Sequence, residues 1–253
     1  MNAHKALPAS LQRVLAVLFW LLVWQAASAL IGREILLASP WKVCVTLSQL
    51  VLQADFWQVT AQSFGRIAAG FALAAVLGVL LAVWAAACRS VRLLLAPLMQ
   101  LMKAVPVASF IILVLLWVGS KGLSVVISFL MVLPILYTNT LQGIVQTDPQ
   151  LLEMTRVFHF RWYHTLRTVY LPAVLPYFSS ACSVALGLAF KSGIAAEVIG
   201  LPDGSIGEKL YQAKIYLSTG EVLAWTVVII FLSVCFEQLV GLLLRLLQRR
   251  LTA

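Results

Sequence analysis

Apolar residues run through this chain in long blocks separated by short polar stretches. The first block covers residues 14–31, behind a polar start carrying Lys5 and Arg13. The second runs from about 60 to 87 and is closed by Arg89 and Arg92. The third covers roughly 93–118 with Pro97 and Pro106 inside it, and a Gly119-Ser120-Lys121-Gly122 turn leads into the fourth, at about 123–145. The fifth spans about 172–195 and the sixth about 222–244, with Arg245, Arg249 and Arg250 beyond it. A helix of about 20 apolar residues crosses the hydrocarbon core of a bilayer. Inside that core every backbone polar group must be satisfied locally, which favours helices. The pattern therefore predicts an all-α polytopic membrane protein with six transmembrane helices. With no soluble domain, linker or repeat in sight, a single transmembrane domain over 1–253 is expected, its core at 60–245.

The polar stretches predict elements of their own. Ser39-Pro40 is a helix start, after which Val43, Cys44, Leu47, Leu50 and Val51 share one face opposite Lys42, Thr46, Gln49 and Gln53. This predicts an amphipathic helix lying on the membrane surface. Thr147-Asp148-Pro149 offers a cap and a start for a further helix. Residues 200–221, opening with Gly200-Leu201-Pro202-Asp203-Gly204, read as an external loop. Ala27-x-Ala29 fits a signal-peptide cleavage site, but the apolar run before it exceeds a signal core and further spans come after it, so an uncleaved first span is expected.

Composition supports the membrane reading. Hydrophobic residues make up 62% of the chain and charged residues 11%, with a mean hydropathy of +0.99, whereas globular domains carry about 25% charge. The net charge of +9 is spread over the ends of apolar runs with no basic stripe, which argues against nucleic acid as a partner. Ten of the eighteen Lys and Arg fall in segments assigned to the inside (Lys5, Arg13, Arg89, Arg92, Arg156, Arg161, Arg167, Arg245, Arg249, Arg250). Five fall outside (Arg33, Lys42, Lys121, Lys209, Lys214). That bias predicts cytoplasmic N and C termini.

Enzyme chemistry finds no footing. Cys44, Cys88, Cys182 and Cys235 stand singly, without metal or disulfide spacing, and His4, His159 and His164 all lie outside the spans. Gly204-Ser205-x-Gly207 has the outline of an intramembrane serine protease nucleophile, but no intramembrane histidine exists to serve it, and turn formation explains it. There is no Gly-x-x-x-x-Gly-Lys-Ser/Thr phosphate loop, so any ATP hydrolysis must occur on another polypeptide. No cofactor and no metal site is expected.

The stretch 153–172 is the long polar and basic interruption, reading EMTRVFHFRWYHTLRTVYLP. Glu153-Met154-Thr155, three residues, His159, nine residues, then Val169-x-Leu171-Pro172 is its skeleton. This spacing resembles the Glu-Ala-Ala loop of permease subunits of binding-protein-dependent ABC importers. The consensus there is Glu-Ala-Ala, three residues, Gly, nine residues, Ile-x-Leu-Pro. Here Met154 and Thr155 replace the alanines and His159 the glycine, so a His must supply any turn needing positive φ. Ser63-x-x-Arg66-x-x-x-Gly70-Phe71, Lys103-x-x-Pro106, Trp117-x-Gly119 and Ala196-Glu197 look like the nitrate, sulfonate and taurine branch of that family.

The resemblance implies a MetI-like fold in a bacterial inner membrane. It also implies a cytoplasmic coupling loop at 146–172, which docks on an ABC ATPase subunit through Glu153, Met154, Thr155, His159, Leu171 and Pro172. A second permease subunit, expected to be another copy, and an extracytoplasmic substrate-binding protein complete the assembly. The cargo implied is a small polar, anionic solute. A vitamin precursor such as a thiamine pyrimidine is the alternative cargo, and a non-transporting scaffold the alternative role. An ion-driven carrier would need buried acids, for which Glu237 is the candidate.

For a solute pathway the informative residues are charges within apolar runs. Lys103 lies eleven residues past Arg92, about 16 Å along a helix, and Pro106 comes just after it. A break at Pro106 would turn a half-helix end toward a passage, whereas an interfacial approach would leave Lys103 snorkelling. Lys191 and Arg66 are expected to snorkel at the outer interface.

Overall fold

The computed structural model describes residues 9–252, and among them every regular element is helical. In order these are α1 (Ala9–Ile31), α2 (Pro40–Val51), α3 (Ala54–Ala87), α4 (Arg89–Ala104) and α5 (Val107–Val145). They continue with α6 (Pro149–Val157), α7 (Trp162–Thr165), a π-helical turn (Leu166–Tyr170), α8 (Leu171–Gly200), α9 (Ile206–Ile215) and α10 (Thr219–Thr252). His4 and Lys5 lie outside the described residues, as does the placement of the N-terminus.

Five stretches are long and apolar enough to cross a bilayer: Val14–Ile31, Ala54–Ala87, Val107–Val145, Trp162–Gly200 and Thr219–Arg250. The sequence pattern predicts six, and the difference lies in the third and fourth runs. The third is broken at Val105, whose φ of −68° and ψ of 131° are extended. Pro106 enforces this, since its ring disfavours helical geometry in the residue before it. Before the break lies α4, a 16-residue amphipathic helix burying only Met99. After it comes one 39-residue stretch, bent at Gly119 (φ 72°, ψ 178°), a conformation open essentially to glycine. The expected turn at 119–122 is thus a single kinked residue between helical segments.

The chain divides into two compact units. One comprises the described residues up to Trp57 together with Lys209–Val228. Its core is Ala38, Val43 and Ala224, overlaid by Trp24, Leu47, Leu50 and Leu223. Ser39 caps α2 by accepting from the Lys42 amide, and Pro40 opens the helix, as the sequence indicates. Cys44 and Val51, on the expected apolar face, remain exposed, because the buried stripe centres on Val43. Trp24 Nε1 donates to the Ala38 carbonyl at 3.1 Å, and Lys209 pairs with Asp55 at 2.7 Å. Phe56 stacks on Trp225 with ring centroids 5.2 Å apart.

The other unit, Gln58–Glu208 with the described residues from Ile229 onward, holds the larger core. Ile111, Val114, Leu123, Ile127, Met131 and Ala196 form one cluster between α5 and α8. Small residues set how close its helices come, as in membrane packing generally. A Cβ at Gly70 would lie 2.5 Å from the Val125 carbonyl oxygen, and one at Gly193 2.6 Å from Ser128 Oγ. Ser124 and Ser128 donate to the carbonyls of Gly193 and Ala189, both at 3.2 Å. Phe64, Phe71 and Phe190 gather around Phe236, with centroids 5.1 to 6.1 Å away.

Candidate functional site: the 146–172 segment and the α3–α8–α9 cluster

The segment 146–172 is built for rigidity at both ends of its helix. Asp148 is the N-cap of α6, its carboxylate accepting from the Gln150 amide at 2.8 Å, with Pro149 at the first helical position. Thr147 ties back to α5 by donating to the Gly143 carbonyl at 3.1 Å. At the other end the His159 amide donates to Arg156 O (3.1 Å) and the Phe160 amide to Thr155 O (2.9 Å). These two bonds form a Schellman motif, which needs a left-handed residue just past the cap. His159, with φ of 50°, is that residue. The histidine standing at the glycine position therefore adopts the backbone that glycine would have supplied.

The face presented by α6 is mixed. Glu153 and Met154 are exposed, as are Leu151, Val157 and Phe158, while Thr155 is buried and donates to the Leu152 carbonyl at 2.8 Å. Val157 and Phe158 keep 73% and 67% of their surface open. Glu153 sits in the second turn and not at the helix start, where Asp148 has taken the capping position. Capping α6 is therefore no part of its work.

Beyond α6 an open cleft of about 630 Å³ is lined by Thr155, Arg156, His159, Phe160, Trp162 and Tyr170, among others. Leu171 and Pro172 are half-buried at the root of α8. The Leu171 amide reaches back to the Leu166 carbonyl, five residues away. Pro172 explains this wide turn, since it has no N–H and its ring pushes away the carbonyl four residues earlier.

A second constellation joins residues far apart in sequence. Ser63 Oγ donates to Glu197 Oε2 at 2.7 Å and accepts from the Ile206 amide at 2.9 Å. Glu197 is wholly buried, and its Oε1 lies 3.6 Å from Arg66 Nη1. The Gly207 amide donates to Glu197 Oε2 at 3.4 Å, and Arg66 Nη2 to the Asp203 carbonyl at 3.5 Å. The carboxylate thus faces the first amides of α9, the positive end of that helix. Arg66, expected to snorkel, has a side chain only 21% exposed and points at this carboxylate. Ser205 is no nucleophile in this setting, being fully buried and accepting from the Glu208 amide at 3.0 Å as a helix cap.

The family of binding-protein-dependent transport system inner membrane components matches residues 75–253, which include both the coupling-type segment and Glu197. The chain belongs to that family. It is a permease subunit of the ABC importer class. A Bacillus subtilis (strain 168) protein provisionally named an aliphatic sulfonates transport permease, SsuC, is 30% identical over 232 residues, covering 90% of this chain and 82% of that one. The taurine transport system permease protein TauC of Escherichia coli (strain K12) is 27% identical over 235 residues, covering 90% and 84%. A crystal structure of an amino acid ABC transporter with histidines shares the fold with a TM-score of 0.58 at 16% identity, over 82% of this chain and 96% of that one.

In this permease the sequence-indicated pathway pair sits at the helix break. Lys103 occupies the last turn of α4, and its Nζ donates to Thr138 Oγ1 of α5 at 3.3 Å. Pro106 is the N-cap of α5 and exposed. Lys103 thereby places a cation at the C-terminus of α4, a favourable pairing of charge with helix dipole, and ties that end to the C-terminal third of α5. Sequence reasoning missed two features. One is the pairing of Ser63 and Arg66 with Glu197. The other is the hydroxyl of Ser183 on α8 donating to Glu237 on α10, beside a cleft that also reaches Gln238 and Arg245. The isolated carboxylate in an apolar run was the available signal for the second.

Proposed function

We propose that this permease works as one transmembrane domain, paired with a second copy, and imports a small anionic solute such as a sulfonate at the expense of ATP hydrolysed by a separate ATPase subunit. An extracytoplasmic binding protein delivers the solute. The observation that carries the reading is α6: a short helix fixed by Asp148 at one end and by the His159 turn at the other, with Glu153, Met154, Val157 and Phe158 exposed. A rigid element with open apolar surface transmits displacement to the helices at either side, and α5 and α8 are those helices. The sulfonate and taurine names of the relatives support the anionic cargo.

The proposal includes six membrane crossings with both termini cytoplasmic. The third is composite, made of α4 and the part of α5 before Gly119. The 16 residues of α4 rise about 24 Å, and the remainder of the crossing falls to residues 107–118. Lys103 and Pro106, at the join, then border the passage, and alternating access moves the paired subunits around it.

Copurification tests the reading. The wild-type chain, coexpressed with a cognate ATPase and binding protein, should carry the ATPase through purification, and the complex should hydrolyse ATP faster when loaded binding protein is added. Glu153→Lys should insert at normal abundance but lose at least tenfold of that stimulation. A wild-type chain that retains no ATPase overturns the importer role. Full stimulation in Glu153→Lys removes Glu153 from the docking surface.

A further inference from the structure

The exposed side of α8 carries Ser180, Ser183, Gly187 and Lys191 at intervals of three and four residues, with the apolar Val184 among them. Ser180, Ser183 and Lys191 are exposed, and Gly187 is open enough that an added Cβ would meet nothing within 4 Å. The opposite side is committed to packing: Cys182, Ala185, Leu186, Ala189 and Phe190 are buried. At the Glu237 end the track is anchored by the Ser183 hydroxyl. Toward Gly200 the same face turns apolar, with Ile194 buried and Ala195 and Val198 half-buried. Lys191 is thus the last polar group before an apolar roof.

Lys191 stands nine residues before Gly200, about 13 Å of rise from the C-terminal end of α8. No ion pair joins it to a described carboxylate, since Glu197 faces Arg66 and Glu237 holds Ser183. An ammonium group held within a span without a counter-ion faces a cavity or an incoming partner. A track of hydroxyls and bare backbone leading to it is suited to a solute carrying the opposite charge.

We propose that Lys191 is an anion-binding station in the passage, holding the sulfonate or carboxylate of the solute just below the closed outer end. This rests on the importer reading and on the outward direction of the α8 C-terminus in that reading. It assigns the selection of charge to the permease itself, at a position distinct from the Lys103 helix break. Ser183, which holds the negative Glu237, lies eight residues below along the track, so a singly anionic solute is held at Lys191 and meets no second attraction there until the passage opens inward.

Two measurements on the assembled permease–ATPase complex test it. With the native cysteines replaced and Gly187→Cys introduced one turn from an intact Lys191, where an added side chain meets open space, the water-borne anionic reagent sulfonatoethyl methanethiosulfonate should label position 187 in nanodiscs, and excess ethanesulfonate should slow labelling severalfold, a protection that Lys191→Met in the same background should remove. No labelling, or a disulfide between the position-187 cysteines of two copies, overturns the station by placing this face in lipid or in a subunit contact. Labelling that ethanesulfonate leaves unchanged with Lys191 in place overturns it as well. In proteoliposomes with the cognate binding protein, Lys191→Met should lower ethanesulfonate uptake at least tenfold at unchanged complex yield, and Lys191→Arg should restore most of it. Equal uptake by Lys191→Met and wild type overturns the station alone. A wild-type complex that moves no ethanesulfonate counts against the anionic cargo, while the labelling result still decides whether the track is open to anions.

Discussion

Ser63 Oγ stands 2.7 Å from Glu197 Oε2, although 134 residues separate the two in the chain. The hydroxyl is also the acceptor for the Ile206 amide, so one serine links α3, α8 and the start of α9. Removing it leaves a buried carboxylate oxygen and a buried amide each short of a partner. Such losses cost about 1–3 kcal/mol. Ser63→Ala should therefore lower Tm in detergent measurably, and Glu197→Ala more, because it strands the Arg66 guanidinium as well and breaking a buried pair costs about 3–5 kcal/mol. A Glu197→Ala chain melting at the wild-type temperature would show that the cluster contributes nothing to stability.

Gly70 predicts a steric result with an internal control. A methyl group there would meet the Val125 carbonyl oxygen at 2.5 Å, Ser128 Cβ at 2.9 Å and the Phe129 amide at 3.2 Å, mostly backbone that cannot swing aside. Gly70→Ala should push α3 from α5 and cost about 1–3 kcal/mol, the usual penalty of overpacking. Gly187→Ala, with open space around it, should leave Tm unchanged or raise it slightly through helix propensity. Equal thermal shifts for the two variants would contradict the close approach of α3 and α5.

His159 offers a third prediction, on the coupling segment. Its left-handed backbone costs an L-residue about 1–2 kcal/mol, which glycine avoids. His159→Gly should then preserve or strengthen binding of the ATPase, and His159→Val, whose branched side chain fits this region poorly, should weaken it severalfold. Titration of purified ATPase onto the three permeases in nanodiscs measures this. Identical affinities would mean that docking does not depend on the turn.

How much of this can be read from the chain varies with the range of the interaction. Local signals are legible: Ser39-Pro40 opens α2, Asp148-Pro149 opens α6, and position 159 requires a residue able to do the work of glycine. Each depends on neighbours within one turn. The pairing of Ser63 and Arg66 with Glu197 is not legible, because periodicity shows which face of a helix is apolar but not which other helix it meets. The clue is one arginine and one carboxylate placed near the ends of separate apolar runs. Pro106 marks the break of the third run, and Gly119 marks the junction of its remainder with the fourth, where helical geometry is interrupted at that one residue.

Lys103 carries the last prediction, since the break beside it is where the two expectations for that residue separate. As a snorkelling cation it would extend toward an interface and bond nothing in the span. Its Nζ instead donates to Thr138 Oγ1 at 3.3 Å, and that hydroxyl in turn donates to the Pro134 carbonyl at 2.6 Å, next to the carbonyls that Pro134 itself disturbs on α5. The ammonium has two further donor directions open to a solute. If Lys103 borders the passage as proposed, replacing it removes positive charge there without touching a buried core, because Lys103 is exposed. Lys103→Met should therefore assemble with the ATPase at wild-type yield and lower the uptake of an anionic solute about tenfold, chiefly at limiting solute. Thr138→Val, which deletes the anchoring hydroxyl but keeps the charge, should have a smaller effect in the same direction. Uptake that is unchanged in Lys103→Met at both limiting and saturating solute would place the lysine outside the pathway and leave α4 as an interfacial helix alone.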